Sequence, residues 1–168
     1  TVLTPDLGKM AIVVKGARRI KSKLAGHVDV LNHCRLSLAL GHRWDVVTGA
    51  EVIYPFPYIK NTLEALSVAL YLAESIDSLL PEASSSPEAY SLALAALHAL
   101  ESQFQPEIVS AFTKLKLLEV AGYKPELGRC LICFRPLEAG EHRYAPRLGG
   151  TVDGACPVSA GRVLPLSV

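Results

Sequence analysis

The sequence predicts an α+β chain of several domains: a small β-rich barrel, an all-α helical bundle and a short metal-stabilised segment. Three observations predict this. Short apolar runs separated by glycines fill residues 1–57, apolar residues three and four apart fill residues 61–128, and a C-x-x-C pair opens residues 129–168, where neither period holds. Half of the 168 residues are apolar, enough for a real core, and only 7% are aromatic, so that core is aliphatic. No apolar run approaches the ~18 residues of a membrane-spanning helix.

In the first region, Met10-Ala11-Ile12-Val13-Val14 is a compact β-forming run, Leu36-Ser37-Leu38-Ala39-Leu40 alternates, and Trp44-Asp45-Val46-Val47-Thr48 leads on to Val52-Ile53-Tyr54. Gly8, Gly16, Gly26, Gly41 and Gly49 supply turns between short strands, the pattern of a small barrel or a strongly bent sheet. Pro55-Phe56-Pro57 stops the last strand and forms a joint.

The second region turns helical. Leu63, Leu66, Ala69, Leu70 and Ala73, continuing to Ile76 and Leu80, form an apolar stripe, with Asn61 and Glu64 as N-cap and capping-box acid. Pro81 and Ser84-Ser85-Ser86 end that helix. Ser86-Pro87-Glu88 starts a second one with a cap, a proline at the first position and a first-turn acid, and Leu92, Leu94, Leu97 and Leu100 make it broadly apolar. Pro106-Glu107 starts a third, carrying Ile108, Phe112, Leu115 and Leu118, which Gly122 terminates.

Charge is divided along the chain although the total is only +1. Residues 1–60 hold nine Lys/Arg and four Asp/Glu, residues 61–128 hold three and nine, and residues 129–168 hold five and three. Within the basic part, Lys15, Arg18, Arg19, Lys21 and Lys23 place five cations in nine residues after a β run, which is how a protein presents itself to a polyanion. With few aromatics nearby beyond Trp44 and Tyr54, such a block suits backbone phosphates better than base reading.

The cysteines carry the other chemical signal. Cys130 and Cys133 have the spacing that offers two corners of a tetrahedral zinc site, and Cys156 lies far enough on to return to it. The fourth ligand has three readings: Asp153, which keeps the x-x spacing with Cys156; Ser159, a poor ligand; or His142, whose imidazole binds zinc well. A redox pair or free thiols are the rival readings of Cys130 and Cys133. Cys34, amid a strand, reads as a small buried side chain. Four cysteines without a secretion signal favour reduced thiols and a cytosolic compartment. The start, Thr1-Val2-Leu3-Thr4-Pro5-Asp6, without an initiator Met, reads as the interior of a longer chain. Catalytic signals are weak: G-x-x-x-x-G-K-[ST], H-E-x-x-H and G-x-S-x-G are absent, and His27, His33, His42, His98 and His142 have no nucleophile or carboxylate partner at a telling spacing.

Leu3-Thr4-Pro5-Asp6-Leu7-Gly8-Lys9, Val14-Lys15-Gly16-Ala17-Arg18-Arg19 and Ser22-Lys23-Leu24-Ala25-Gly26 resemble the amino-terminal pattern of the bacterial RecO family of recombination mediators. Ala69-Leu70-Tyr71-Leu72-Ala73-Glu74 resembles its helical signature. Gly122-Tyr123-Lys124-Pro125-Glu126-Leu127 before the C-x-x-C pair resembles the entry to its zinc-binding segment. The resemblance implies an amino-terminal OB-fold over residues 1–57, a helical bundle over 61–128 and a zinc-finger-like segment over 129–168. It implies a non-catalytic, cytoplasmic, nucleoid-associated protein that binds single- and double-stranded DNA and anneals complementary strands. The implied partners are RecR, in many bacteria RecF, and single-strand-binding protein (SSB), on whose coated strands RecA is loaded. By motif, Lys15, Arg18, Arg19, Lys21 and Lys23 would face DNA, with Arg35 and Arg43 as further candidates. The zinc ligands would be Cys130, Cys133, Asp153 and Cys156. Against the family pattern, the first strand of the OB-fold and much of the carboxy-terminal part are missing, and Asp153 stands where many members carry a third cysteine.

Overall fold

The computed structural model describes residues 1–16, 24, 26–42, 44–158 and 161–167. Arg18, Arg19, Lys21, Lys23 and Arg43 lie outside the described residues, as does Ser159. Eight strands and four helices are present among those described: β1 Val2–Thr4, β2 Gly8–Met10, β3 Ile12–Val13, β4 His33–Ala39, β5 Asp45–Tyr54, α1 Pro57–Asn61, α2 Leu63–Leu79, α3 Pro87–Glu101, α4 Pro106–Val120, β6 Glu141–Ala145, β7 Gly150–Asp153 and β8 Leu164–Ser167. They fall into two compact units, Thr1–Leu117 and Leu118–Val168.

In the first unit, β1 and β2 form a hairpin whose turn is tied by the Thr4 hydroxyl, which donates to the Gly8 carbonyl (3.0 Å) and accepts the Leu7 N–H (3.1 Å). The expected single run at residues 10–14 is interrupted at Ala11, and β3 runs parallel to β5, while β4 lies antiparallel on its other side, giving the order β3-β5-β4. Opposite the His33/Cys34 and Ser37/Leu38 steps of β4, Ile53 and Thr48 are extra residues on β5, and these bulges bend β5. No sheet among the described residues closes into a barrel.

The Pro55-Phe56-Pro57 joint forms as expected. Phe56 turns the chain with φ 49°, is fully buried, and Pro57 opens α1. The Glu101 carboxylate, at the end of α3, accepts the backbone N–H of both Tyr58 and Ile59 (3.1 Å each), so a distant acid caps α1. Asn61 is not the cap of α2: it belongs to α1, donating to the Pro57 carbonyl (2.9 Å), and Thr62 takes the cap position. The buried stripe of α2 is Ala65, Ala69, Leu72 and Ile76, and Leu63 and Leu70 are exposed, so the expected stripe was partly the wrong face. Close packing of α2 against α1 and α3 uses alanines there. Ser86 and Pro87 start α3 as predicted, without a side-chain cap hydrogen bond. In α4 the inward face is Val109, Ser110, Thr113 and Leu117, and Ile108, Phe112 and Leu115 are exposed. Gly122, at φ 81°, stops the chain after α4, with its N–H donating to the Glu119 carbonyl (3.1 Å) and the Tyr123 N–H to that of Leu118 (2.7 Å).

The core of this unit gathers Phe56, Ile59, Ala65, Ala69, Leu72, Ala96, Leu100 and Val109. Beside it, His33 on β4 shares a hydrogen bond with the Tyr90 hydroxyl (3.0 Å), and the His98 ring packs on Tyr54 and Phe56 (5.6 and 5.1 Å). Cys34 is half-buried rather than buried, its thiol donating to the His27 carbonyl (2.9 Å).

Two outcomes follow from these contacts. Replacing Glu101 with alanine strands two N–H groups at the start of α1, and urea unfolding should show a loss of about 1–3 kcal/mol. Burial, and then the charge of His98, hold the His33 imidazole below its ordinary 6.5, so the folded state favours the neutral ring. Its contribution is therefore present above the unfolded value and is lost as pH falls through the lower folded value. Urea midpoints measured at pH 7.5 and 5.5 should fall on acidification, and less so in His33→Gln.

Candidate metal centre and basic surface

The second unit is held by a three-stranded sheet of order β7-β6-β8, where the sequence showed no period at all. Burial does not alternate along its strands: His142 and Ala145 of β6 are both buried, and so are Gly150, Thr151 and Val152 of β7 in succession. Thr151 N–H and carbonyl bind residues on the incoming chain, donating to the Glu126 carbonyl (2.8 Å) and accepting the Leu131 N–H (3.0 Å). The chain thus lays residues 126–131 beside β7, directly ahead of the cysteine pair.

Cys130 and Cys133 sit on a tight turn closed by Phe134 N–H to the Cys130 carbonyl (2.9 Å) and Cys130 N–H to the Arg135 carbonyl (2.9 Å), with Phe134 at φ 60°. The Cys130 sulfur accepts the N–H of Ile132 (3.4 Å), two residues on, and that of Asp153 (3.3 Å), from the end of β7. Cys156 returns on the following turn. The sulfurs of Cys130, Cys133 and Cys156 all lie within 4.8 Å of one another, and Cys130 to Cys156 is 3.7 Å. Cys130 is fully buried with Ala145 and Val152, and Leu131, Leu137, Val158 and Val163 pack around them.

Three thiols this close cannot all ionise unaided. Burial raises the Cys130 thiol, but backbone N–H groups of Asp153, Cys133 and Ile132 outweigh it and bring the value to about 6. Cys156 is pushed up to about 11, first by its hydrogen bond to Cys133, then by burial and by Cys130. The metal-free cluster holds negative charge at one corner and a retained proton at another, which a divalent cation would resolve. Tetrahedral zinc with sulfur ligands at about 2.3 Å sets sulfurs about 3.8 Å apart, and 3.7 Å between Cys130 and Cys156 fits it. The residues present suit zinc.

Asp153 and His142 do not join the thiol group among the described residues. Asp153 nonetheless mirrors Cys130: its carboxylate accepts the N–H of Ala155 (2.8 Å), two residues on, as the Cys130 sulfur accepts that of Ile132. A second turn of the same build therefore runs from Asp153 to Cys156. Gly154 is needed in it, because a Cβ there would lie 2.5 Å from the Glu141 carbonyl oxygen. His142 belongs elsewhere. It alternates with Arg143 and Ala145 on β6, and Ala145 is the residue that packs on Cys130, so His142 takes the opposite face. There its Nε2 meets the Glu138 carbonyl (2.6 Å) and its buried Nδ1 has no hydrogen-bond partner.

Two arginines that sequence reasoning did not single out border the cluster. Arg135 is held above its ordinary value first by a hydrogen bond to Cys133, and then by the charges of Cys133, Cys156 and Asp153. Arg143 reaches the turn that carries Cys156. Their only sequence signal was position, two residues after Cys133 and one after His142.

Of the candidate DNA-facing cations, two are described. Lys15 is exposed in the turn after β3, beside Gly16. Arg35, on β4, is exposed but lies 3.0 Å from Glu51 of β5, which would compete with any phosphate. Trp44 and Tyr54 are both partly exposed at the two ends of β5.

The chain matches two family models, Recombination protein O N terminal over residues 1–56 and Recombination protein O C terminal over residues 60–168. It belongs to the RecO family, a family of DNA repair and recombination proteins. Proteins named DNA repair protein RecO are similar to it in several bacteria: that of Dehalococcoides mccartyi strain CBDB1 is 37% identical over 156 residues, covering 93% of this chain and 62% of the relative. The Roseiflexus sp. strain RS-1 protein is 34% identical over 171 residues, covering 100% and 59%, and the Symbiobacterium thermophilum protein 32% over 170 residues, covering 99% and 67%. The chain thus spans about three fifths of the length of the first two relatives. No helix among the described residues is long and apolar enough to cross a membrane.

Zinc binding should release protons at pH 7, because Cys156 holds its proton to about 11 in the metal-free form. Calorimetry in two buffers of different ionisation enthalpy would measure this, and a heat independent of buffer would contradict it. Affinity should also fall as pH is lowered through about 6, where Cys130 becomes protonated.

Proposed function

We propose that the chain is the DNA-binding part of a non-catalytic recombination mediator. In this reading it binds single- and double-stranded DNA, anneals complementary strands and, with RecR, helps load RecA onto SSB-coated strands, RecF taking part in some bacteria. The observation that carries it is the basic block after β3, within a chain of a DNA repair family: Lys15 is exposed, and Arg18, Arg19, Lys21 and Lys23 follow it in sequence. Residues 1–57 would be the OB-fold that presents the block. Residues 61–128 would be the bundle, and residues 129–168 the zinc segment, with structural zinc on Cys130, Cys133 and Cys156 and Asp153 as fourth ligand. The mirrored turns at Cys130 and Asp153 favour Asp153 over His142. Arg43 is a further cation for DNA; Arg35 is a weaker one because of Glu51. A bacterial cytoplasmic, nucleoid-associated location follows from that role.

Annealing by this route needs charge neutralisation and strand alignment, and no bond-making residue. Each phosphate neutralised releases counterion, so binding weakens with salt and is nearly indifferent to sequence. Five contacts give a log–log slope of about −3.5 for single strands. The quadruple variant Arg18, Arg19, Lys21 and Lys23 to alanine should lower that slope to about −0.7 and abolish annealing with unchanged circular dichroism. Unaltered affinity in that variant would reject the block as the DNA site.

A second reading, a protein-interaction adaptor without direct DNA binding, is favoured by one observation: Ile108, Phe112 and Leu115 are exposed on one side of α4. DNA binding that is lost with the basic block and kept when Phe112 and Leu115 become serine would exclude it.

A further inference from the structure

We propose that Arg143 is a positioning residue of the metal centre, holding the Asp153–Cys156 turn so that Cys156 faces the other two sulfurs. The inference rests on the metal reading above. β7 ends at Asp153, so the carbonyls that follow have no strand partner in the sheet. Arg143, on neighbouring β6, extends over that end. Its Nη2 lies 2.6 Å from the Cys156 carbonyl oxygen, 3.0 Å from that of Gly154 and 3.5 Å from that of Asp153. One nitrogen with two hydrogens makes the two shorter contacts as bonds, and the third is a longer electrostatic contact.

The arrangement is specific to the turn. Arg143 Nε is buried without a hydrogen-bond partner, so the guanidinium is not placed to satisfy itself; its carbonyl partners fix it. With those carbonyls drawn to the guanidinium, the Cys156 N–H remains on the Asp153 carbonyl (3.0 Å) and the Ala155 N–H on the Asp153 carboxylate (2.8 Å). The first turn is closed by two backbone bonds, Phe134 N–H to the Cys130 carbonyl and Cys130 N–H to the Arg135 carbonyl, against the single bond from Cys156 to Asp153 in the second. A lysine would keep the charge but carry it on a flexible stem instead of the rigid planar group that presents Nη2.

The test uses the whole chain and zinc or cobalt(II) as the probe. Arg143→Met should weaken zinc, measured by competition with a chromophoric chelator, about 10- to 100-fold, the usual consequence of losing an outer-shell partner. Arg143→Lys should fall between it and wild type. In the cobalt(II) form, the thiolate-to-metal charge-transfer absorption of Arg143→Met should drop to that of Cys156→Ser, because Cys156 leaves the metal. Wild-type zinc affinity in both arginine variants overturns the proposal, and so does weakened affinity with a wild-type cobalt spectrum. Should Arg143→Met fail to fold, Arg143→Lys decides on the same two readings. A wild-type chain that takes up neither metal overturns the metal reading and this inference with it, which separates that failure from one confined to Arg143.

Discussion

One carboxylate receives the first two free N–H groups of α1, and the rest of the first unit depends on that contact. Glu101 ends α3, and Tyr58 and Ile59 begin the helix that follows the last strand. Without an acceptor, these donors would sit beside the buried Phe56 and Ile59 with nothing to bond. With it, the chain can leave β5 through a left-handed residue, bury Phe56 completely, and lay α1 where α2 and α3 close over it. The strained backbone at Phe56 is repaid by its burial and by the aromatic contacts to Tyr54 and His98.

In the second unit the governing constraint is electrostatic. Its hydrophobic cluster is small, and one of the fully buried members is a cysteine, not an aliphatic residue. Three sulfurs are brought together by two turns of the same build and by a short sheet, an arrangement that concentrates charge where an ordinary core would dilute it. A segment of this size gains much of its stability from whatever neutralises that charge. The backbone N–H groups of Ile132 and Asp153, both aimed at the Cys130 sulfur, take part in that neutralisation.

How much was readable depended on how local each cause was. Helix starts at Pro87 and Pro106 and the stop at Gly122 were legible because proline and glycine act through their own backbone. The buried face of α2 was less so: Ala65 and Ala69 carry little hydrophobic signal, whereas exposed Leu63 and Leu70 carry much. Asn61 looked like a cap because the short α1 before it, set by a proline and a glutamate forty residues away in sequence, left no trace. The cysteine spacing announced the thiol cluster, and the symmetry between Asp153 and Cys130 could be suspected from spacing alone. Arg143 could not, because its role lies in three carbonyls on a neighbouring strand's end. The basic block was the plainest signal in the sequence.

The β1–β2 hairpin has a consequence for how the chain is made. Lys9 contributes its carbonyl to the Ala83 N–H (2.8 Å), and its ammonium reaches the Asp77 carbonyl, 68 residues along. A two-stranded hairpin of three-residue strands has little stability alone. During synthesis at roughly 5–20 residues per second, it must wait about 3 to 14 seconds for the end of α2 to emerge. The link after α2 is the clasp that fastens this hairpin to the helices.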